Sequence, residues 1–315
     1  MHGLGINSTL KAYAGPVFHY TTSEGLLGIV SEGMLRASEA SSLNDLAEIE
    51  LGWRAIRRWL ARQPKSPAIT YLSKRRGDRQ HQVFVLSGTT TKDDANQWRL
   101  YADGGRGYVI ELDGSVPLGV VSLDPSDATE TSTAIHRASE LVNVVPWHYV
   151  LYTEDDLDNA LRALVAYTEG ELASIALLTT EEAREQGDDL LAQDTQEELE
   201  RIAHLFKAPG FVGENEVRLV ARFMWFGKHV KYRAGRYGVS GYIRLVRVPK
   251  SGVQTVVAEP DMTQAHHVGF VHPIPIQAIR LGPLLRKSNR DTTRALLSAY
   301  GLFEASVGRS KVPLR

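Results

Sequence analysis

The sequence contains no cysteine among its 315 residues. Disulfide bonds, thiolate metal sites and a cysteine nucleophile are therefore excluded, and an intracellular setting fits. The chain also has no apolar run long enough to cross a bilayer. Its first residues do not show the basic and apolar regions of a secretory signal. These absences predict a cytoplasmic protein that does not contact a membrane.

Several catalytic and metal-binding motifs are also missing. The sequence has no HExxH, no GxSxG, and neither of the glycine-rich phosphate-binding patterns GxGxxG and GxxxxGK[ST]. His266, His267 and His272 lie close together, but neighbouring side chains in a strand point to opposite faces. We therefore expect no metal site.

Charge is distributed very unevenly along the chain. Residues 154–205 hold 15 acidic residues and three arginines, whereas the rest of the chain holds 22 acidic and 33 basic residues. The acidic stretch has helical periodicity and no proline, and it lies between two regions rich in strand formers. It is predicted to be an acidic helical insert within a single elaborated domain spanning residues 1–315.

The remaining sequence mixes short apolar strands with short helices. Strands are predicted near residues 17–20, 82–89 and 108–112, with a helix after the first of them. Strands and helices do not alternate strictly, and this pattern favours an α+β fold over a doubly wound parallel sheet.

His19, Tyr20, Thr21 and Thr22 follow one another at the end of the first predicted strand. A histidine in this position can donate a hydrogen bond to a sugar hydroxyl or act as an acid or base. The alternative is a half-buried histidine in a strand-to-helix turn, with Thr22 or Ser23 capping the helix.

Glu214, Glu216 and Arg218 alternate along a later predicted strand, so their side chains should share one face. Two neighbouring carboxylates disfavour each other's ionised form, and an arginine beside them offsets that effect. Clefts use such arrangements, although a solvated edge strand with an ion pair is an alternative. Trp98 and Tyr101 are three residues apart and share one face of a predicted helix. They are either core residues or a platform on which a ligand ring stacks.

A basic and aromatic strip runs from Arg222 to Lys250, with eight lysines and arginines, six aromatic residues and no acid. Cations interleaved with aromatic rings suit the phosphates and bases of a nucleic acid. The alternative is a basic sheet face that pairs with the acidic helices.

The segments that carry these residues resemble a known bacterial family. In chain order they are "FHYTTSEGLLGIVSEGMLRAS", "LNDLAEIE", "VFVLSGTTTKDDANQWRLYADGGRGYVIELD", "FKAPGFVGENEVRLV" and "IQAIRLGP". Together they resemble the domain of unknown function 2971 family over roughly residues 17–283. That family name carries no activity.

The same residues are also similar to the His-Tyr-Glu arrangement of ADP-ribosyltransferases. This resemblance implies that His19 holds a ribose hydroxyl of NAD, that a tyrosine stacks on nicotinamide, and that Glu216 binds the ribose 2'-hydroxyl as the oxocarbenium forms. Glu214 would be the first carboxylate of an ExE pair and would steer the acceptor. Tyr20, Tyr101 and Tyr108 compete for the stacking role, and Tyr101 is preferred.

The resemblance implies a mixed, mostly antiparallel sheet core of ADP-ribosyltransferase-like type, with NAD as substrate. The expected NAD-binding residues are His19, Tyr20, Thr21, Thr22, Trp98, Tyr101 and Arg218. The leading expectation is an NAD-dependent ADP-ribosyltransferase, a bacterial toxin or phage-defence effector acting on protein or nucleic acid. The alternatives are a nucleic-acid-binding module or nuclease built on residues 222–250, and a non-catalytic protein whose acidic helices bind a partner.

Overall fold

The computed structural model of the protein describes residues 10–42, 46–75, 81–121, 143–144, 146–224, 229–235, 238–248, 256–257, 259–267 and 270–314. Parts of the basic and aromatic strip, residues 225–228, 236–237 and 249–250, lie outside this range.

The strands of the described chain are β1 (Pro16–Thr21), β2 (Leu35–Glu39), β3 (His81–Thr89), β4 (Tyr108–Asp113), β5 (Leu118–Val121), β6 (Asn143–Val144), β7 (His148–Tyr149), β8 (Glu216–Met224), β9 (Lys231–Gly235), β10 (Gly238–Arg247), β11 (Val256–Val257), β12 (Ile276–Leu281) and β13 (Ser306–Arg309). The α-helices are α1 (Ser23–Glu32), α2 (Leu46–Arg62), α3 (Pro67–Ser73), α4 (Ala95–Tyr101), α5 (Glu154–Ala176), α6 (Glu181–Leu205) and α7 (Asn289–Ala299).

The chain divides into two compact units. The helical unit comprises residues 1–12, 44–80 and 148–213, and the sheet unit comprises residues 13–43, 81–147 and 214–315. The prediction of one domain with a helical insert at residues 154–205 stays a prediction.

The sheet unit is built on a mixed, mostly antiparallel sheet. Its strand order is β11-β5-β10-β2-β3-β1-β4-β12-β13, with β8 paired to β3 and β9 paired to β10. The parallel pairs are β5 with β11 and β12 with β13. The predicted α+β fold with a mainly antiparallel sheet is therefore confirmed.

Side-chain alternation divides the buried residues of the sheet unit between two faces. The main core lies on one face and includes Val17, Ile110 and Val217, together with Leu26 and Val30 of α1. A second cluster lies on the opposite face and consists of Phe18, Tyr20, Trp98, Ala102 and Val109. The second cluster joins α4 to the centre of the sheet.

The helical unit consists mainly of α2, α3, α5 and α6. The acidic stretch forms the two long helices α5 and α6, which begin at the side-chain caps Thr153 and Thr180. Helices α2 and α6 approach closely at Gly52. A Cβ atom at this position would lie only 2.2 Å from the carbonyl oxygen of Ala203, so the approach requires glycine. Across the described residues, none of the helices combines the length and apolar character required to span a membrane.

Candidate functional site

The turn that leads into β8 consists of Glu214, Asn215 and Glu216, and we call it the carboxylate turn. Asn215 has a φ of 45°, a left-handed conformation that asparagine tolerates better than most other residues. Two carboxylate side chains therefore flank a sharply bent backbone. Unusual conformations of this kind are often found at functional sites.

The end of β3 holds this turn in place. The buried hydroxyl of Thr89 donates to the carbonyl oxygens of Glu214, at 2.7 Å, and Asn215, at 3.2 Å. The backbone N–H of Thr90 donates to the Asn215 carbonyl at 2.9 Å, and the Asn215 side-chain amide donates to Thr91 Oγ1 at 3.3 Å. Hydrogen bonds from one short segment thus fix the carbonyls before β8.

Glu214 faces helix α4. The Tyr101 hydroxyl donates to Glu214 Oε1 at 3.1 Å, and the Gln97 side-chain amide donates to the Glu214 carbonyl at 3.4 Å. Gln97 and Tyr101 are four residues apart and so share a helical face. Glu214 is half-buried and Tyr101 is 47% exposed, so solvent reaches this pair.

Glu216 is in a different environment. Arg218 Nε and Nη2 donate to its two carboxylate oxygens at 2.7 and 3.1 Å, and both residues are only 7% exposed. This bidentate geometry is among the strongest that an arginine and a carboxylate can form. The alignment of Glu216 and Arg218 on one face, expected from their spacing, is present, and their charges compensate each other.

Helix α4 has a rigid support beneath it. The Tyr20 and Trp98 rings meet edge to face with centroids 5.0 Å apart. The Tyr20 hydroxyl donates to the Thr91 carbonyl at 3.2 Å and accepts the Asp94 N–H at 3.0 Å. Burial raises the pKa of Tyr20 to about 12, so the phenol stays protonated at neutral pH.

Trp98 is fully buried, and its indole N–H donates to Asp93 at 2.7 Å. Asp93 also accepts from the Ser310 hydroxyl and the Lys311 N–H, at 2.6 and 2.8 Å. Trp98 is therefore a core residue of α4 here, and its ring is not accessible for stacking. Of the aromatic residues considered from the sequence, Tyr101 is the one that lies beside a site carboxylate.

His19 lies on the other face of the sheet from Glu216. Strand pairing places Phe18 opposite Thr89 and Thr89 opposite Glu216, so these three side chains share a face. His19, next to Phe18, points to the face of the main core. Its Nδ1 donates to the Ser87 carbonyl at 3.0 Å, and burial lowers its pKa despite this hydrogen bond.

The two threonines after Tyr20 have local structural roles. Thr22 caps α1 by accepting the Gly25 N–H at 3.1 Å. Thr21 pairs with Tyr108 at the end of β1. Its hydroxyl oxygen packs against Gly25, where an added Cβ atom would lie only 2.0 Å from it. The structure therefore does not bring His19 and the threonines to the carboxylate turn.

The sequence did not point to Thr89, Gln97 or Asn215 as site residues. Thr89 and Gln97 act through hydrogen bonds to backbone carbonyls more than 100 residues away, and no spacing rule predicts such contacts. The one available signal was an asparagine between two glutamates, since asparagine favours left-handed turns. Within the described residues, no three or more His, Asp or Glu side chains are grouped to hold a metal ion.

Comparison with models of protein families gave a match. A family model described as a protein of unknown function (DUF2971) matches residues 97–219. The matched range contains Trp98, Tyr101, the carboxylate turn and Arg218, and it ends before most of β8. The family resemblance seen in the sequence is thus confirmed over this stretch. Neither the curated proteins nor the solved structures gave a match.

Proposed function

We propose that this protein, which matches the family model described as a protein of unknown function (DUF2971) over residues 97–219, is an ADP-ribosyltransferase that uses NAD as its substrate. The observation that carries the proposal is the contact between Tyr101 and Glu214 at the carboxylate turn. Glu214 is a solvent-accessible carboxylate that the Tyr101 phenol orients, and the neighbouring Glu216 is paired with Arg218. This arrangement suits a reaction in which positive charge develops on a sugar.

The proposed reaction has one bond-breaking and one bond-forming step. The bond between ribose C1' and the nicotinamide nitrogen breaks, and its electron pair leaves with the nicotinamide, which becomes neutral. A nucleophile on the acceptor then bonds to C1' and loses its proton to a carboxylate or to water. A carboxylate fixed near the ribose stabilises the oxocarbenium-like transition state, since a preorganised charge needs little rearrangement during the reaction.

We assign this carboxylate to Glu214. The sequence favoured Glu216 for the same role and Glu214 for steering the acceptor. Glu216 is buried and pairs bidentately with Arg218, and a neutralised carboxylate offers less stabilisation to a cation outside the pair. We therefore give Glu216 and Arg218 a positioning role at the start of β8.

Tyr101 has two functions in this proposal. Its hydroxyl orients Glu214 through the 3.1 Å hydrogen bond. Its ring is 47% exposed, and we expect it to pack against the nicotinamide, as the resemblance to the transferases implies. The support from Tyr20 and Trp98 holds α4, and with it Tyr101, in position.

The proposal assigns no NAD contact to His19, because strand register puts it on the opposite face from Glu216. The NAD contacts that the resemblance implies for Thr21 and Thr22 stay predictions. NAD is present in the cytoplasm, where we place the activity. Modification of a macromolecule at the expense of NAD suits a toxin or a phage-defence effector.

The proposal is tested by incubating the full chain with NAD and measuring nicotinamide release by liquid chromatography. We expect release that depends on enzyme concentration and falls by about 10²-fold or more in Glu214→Gln, the scale of one transition-state contact. Glu304→Gln, a change at an exposed glutamate away from the turn, should release nicotinamide at the wild-type rate. Equal release by wild type and Glu214→Gln would overturn the proposal.

A further inference from the structure

The hairpin of β9 and β10 presents a polar face next to β2. Lys231 pairs with Tyr242, and Tyr242 pairs with Ser38 on the other side. Since directly paired residues point to the same face and faces alternate along a strand, Lys231, Arg233, Tyr242, Ser38 and Arg36 share one face. We call this set the hairpin face.

Contacts within the hairpin face hold its cations in place. The guanidinium groups of Arg36 and Arg233 lie 5.1 and 5.8 Å from the centroid of the Tyr242 ring. Arg233 also donates to the Ser38 hydroxyl at 2.8 Å. Cations held in this way lose less side-chain freedom on binding a ligand than unrestrained ones.

Ion pairs neutralise part of the positive charge on this face. Arg36 pairs with Glu32 at 2.6 Å, and the buried Arg244 pairs with Glu259 at 2.5 Å. Glu259 also interacts electrostatically with Lys231. We therefore expect Arg233 on β9, with Lys231 beside it, to be the cation that an external anion contacts first.

The opposite face of the same hairpin is apolar and exposed. Tyr232 is 66% exposed and Val239 is 75% exposed. Val239 pairs with Ala234 and Tyr232 pairs with Gly241, so the two side chains lie on the same face of the hairpin. The edge of β9 thus has cations on one side and an exposed aromatic ring on the other.

We propose that this edge binds a single-stranded nucleic acid. Phosphates would lie over Lys231 and Arg233, and a base would turn around the strand edge to stack on Tyr232. A base can stack in this way only when it is unpaired, and such stacking is the common mode of binding to single strands. The cations on one side match the negative charge that a nucleic-acid backbone carries at each nucleotide.

This inference concerns binding and does not depend on the chemistry proposed for the carboxylate turn. Nucleic-acid affinity and nicotinamide release are separate measurements, so failure of either proposal leaves the other to be judged by its own result. If both hold, a single-stranded nucleic acid becomes the first acceptor to examine.

The test measures the fluorescence anisotropy of a labelled oligothymidine of about 12 nucleotides as the full chain is added at several salt concentrations. With two phosphate contacts, the slope of log K against log salt should be about −1.4. Tyr232→Ala should weaken binding about 5- to 150-fold, the range for loss of one stacked base. Lys231→Gln with Arg233→Gln should weaken binding and bring the slope close to zero.

Two matched controls accompany these variants. Phe303 is also 66% exposed, and Arg290 is an exposed arginine of α7, so Phe303→Ala and Arg290→Gln remove an equivalent ring and charge elsewhere. Both should bind the oligonucleotide as the wild type does, and all variants should keep the wild-type circular dichroism spectrum. The inference is overturned if the folded hairpin variants bind as tightly as the controls, if a duplex binds as tightly as the single strand, or if binding is absent at low salt.

Discussion

The hydroxyl of Thr89 offers a direct test of how the carboxylate turn is held. Thr89→Val keeps the branched shape of the side chain and removes the hydroxyl that donates to the carbonyls of Glu214 and Asn215. The same hydroxyl accepts the Thr91 N–H at 3.0 Å. One substitution therefore removes a donor and an acceptor at the junction of β3 and β8.

The expected stability cost follows from these hydrogen bonds. The Thr91 N–H would lose its partner in a part-buried place, and the Glu214 carbonyl would lose the hydroxyl of Thr89, a residue that is 2% exposed. An unpartnered buried polar group costs about 1–3 kcal/mol. At about 2 °C of melting temperature per kcal/mol for a protein of this size, we expect the melting temperature to fall by roughly 2–6 °C.

The catalytic effect should exceed what the stability loss explains. A turn held less firmly lets Glu214 move relative to Tyr101, and electrostatic stabilisation depends on fixed geometry. We expect nicotinamide release to fall about tenfold or more at a temperature where the variant is still folded. Differential scanning fluorimetry and a nicotinamide-release assay measure the two effects on the same samples.

The matched control is Thr293→Val in α7, where a 3% exposed threonine donates to the Asn289 carbonyl at 2.7 Å. This control should lower the melting temperature by a similar or smaller amount and leave nicotinamide release unchanged. If Thr89→Val melts like the wild type and keeps full activity, the hydrogen bonds of Thr89 do not hold the turn.

Three further predictions concern the turn and the buried histidines. Tyr101→Phe should lower nicotinamide release about 5- to 10-fold through the lost hydrogen bond to Glu214, and an unchanged rate would contradict the orienting role. Asn215→Ala should melt about 2 °C below Asn215→Gly, since a φ of 45° costs alanine roughly 1 kcal/mol and glycine almost nothing. Equal melting temperatures of the two variants would contradict a left-handed conformation at residue 215. Burial lowers the pKa of His19 and His272 from 6.5. Below that pH the unfolded chain therefore binds more protons than the folded chain, and the stability of the fold should decrease as the pH falls. The melting temperature of the His19→Gln and His272→Gln variants should decrease less steeply with pH than that of the wild type.

The sequence predicted local features of the fold more successfully than contacts between distant segments. Short apolar runs at Val17 to Tyr20 and Tyr108 to Leu112 indicated strands that the structure contains as β1 and β4. The α+β class followed from the mixture of elements and is confirmed. These features depend on where apolar residues cluster along the chain, which a single sequence displays.

The relation of His19 to Glu216 depends on strand order and register. Whether they share a face is decided by Thr89, which pairs with Phe18 on one side and Glu216 on the other. A shift of one residue in either pairing would move His19 to the other face. The sequence contains no local signal for this register, so a motif read in chain order could not establish that the two residues meet.

Burial separated the two glutamates, which the spacing alone had treated as similar. Glu216 pairs with Arg218 at 7% exposure, whereas Glu214 meets the exposed Tyr101. The sequence favoured Glu216 because it lies further into the strand. That position in the strand also brings Arg218 within bidentate reach, which neutralises its charge.

The most direct test of this account compares nicotinamide release by Glu214→Gln and Glu216→Gln under single-turnover conditions with saturating enzyme. Both substitutions keep the size of the side chain and remove its charge. We expect a loss of about 10²-fold or more for Glu214→Gln. For Glu216→Gln we expect a smaller loss and a lower melting temperature, because Arg218 would lose its buried partner. A folded Glu216→Gln variant that loses the greater activity, while Glu214→Gln stays near the wild-type rate, would contradict the assignment of the reacting carboxylate to Glu214.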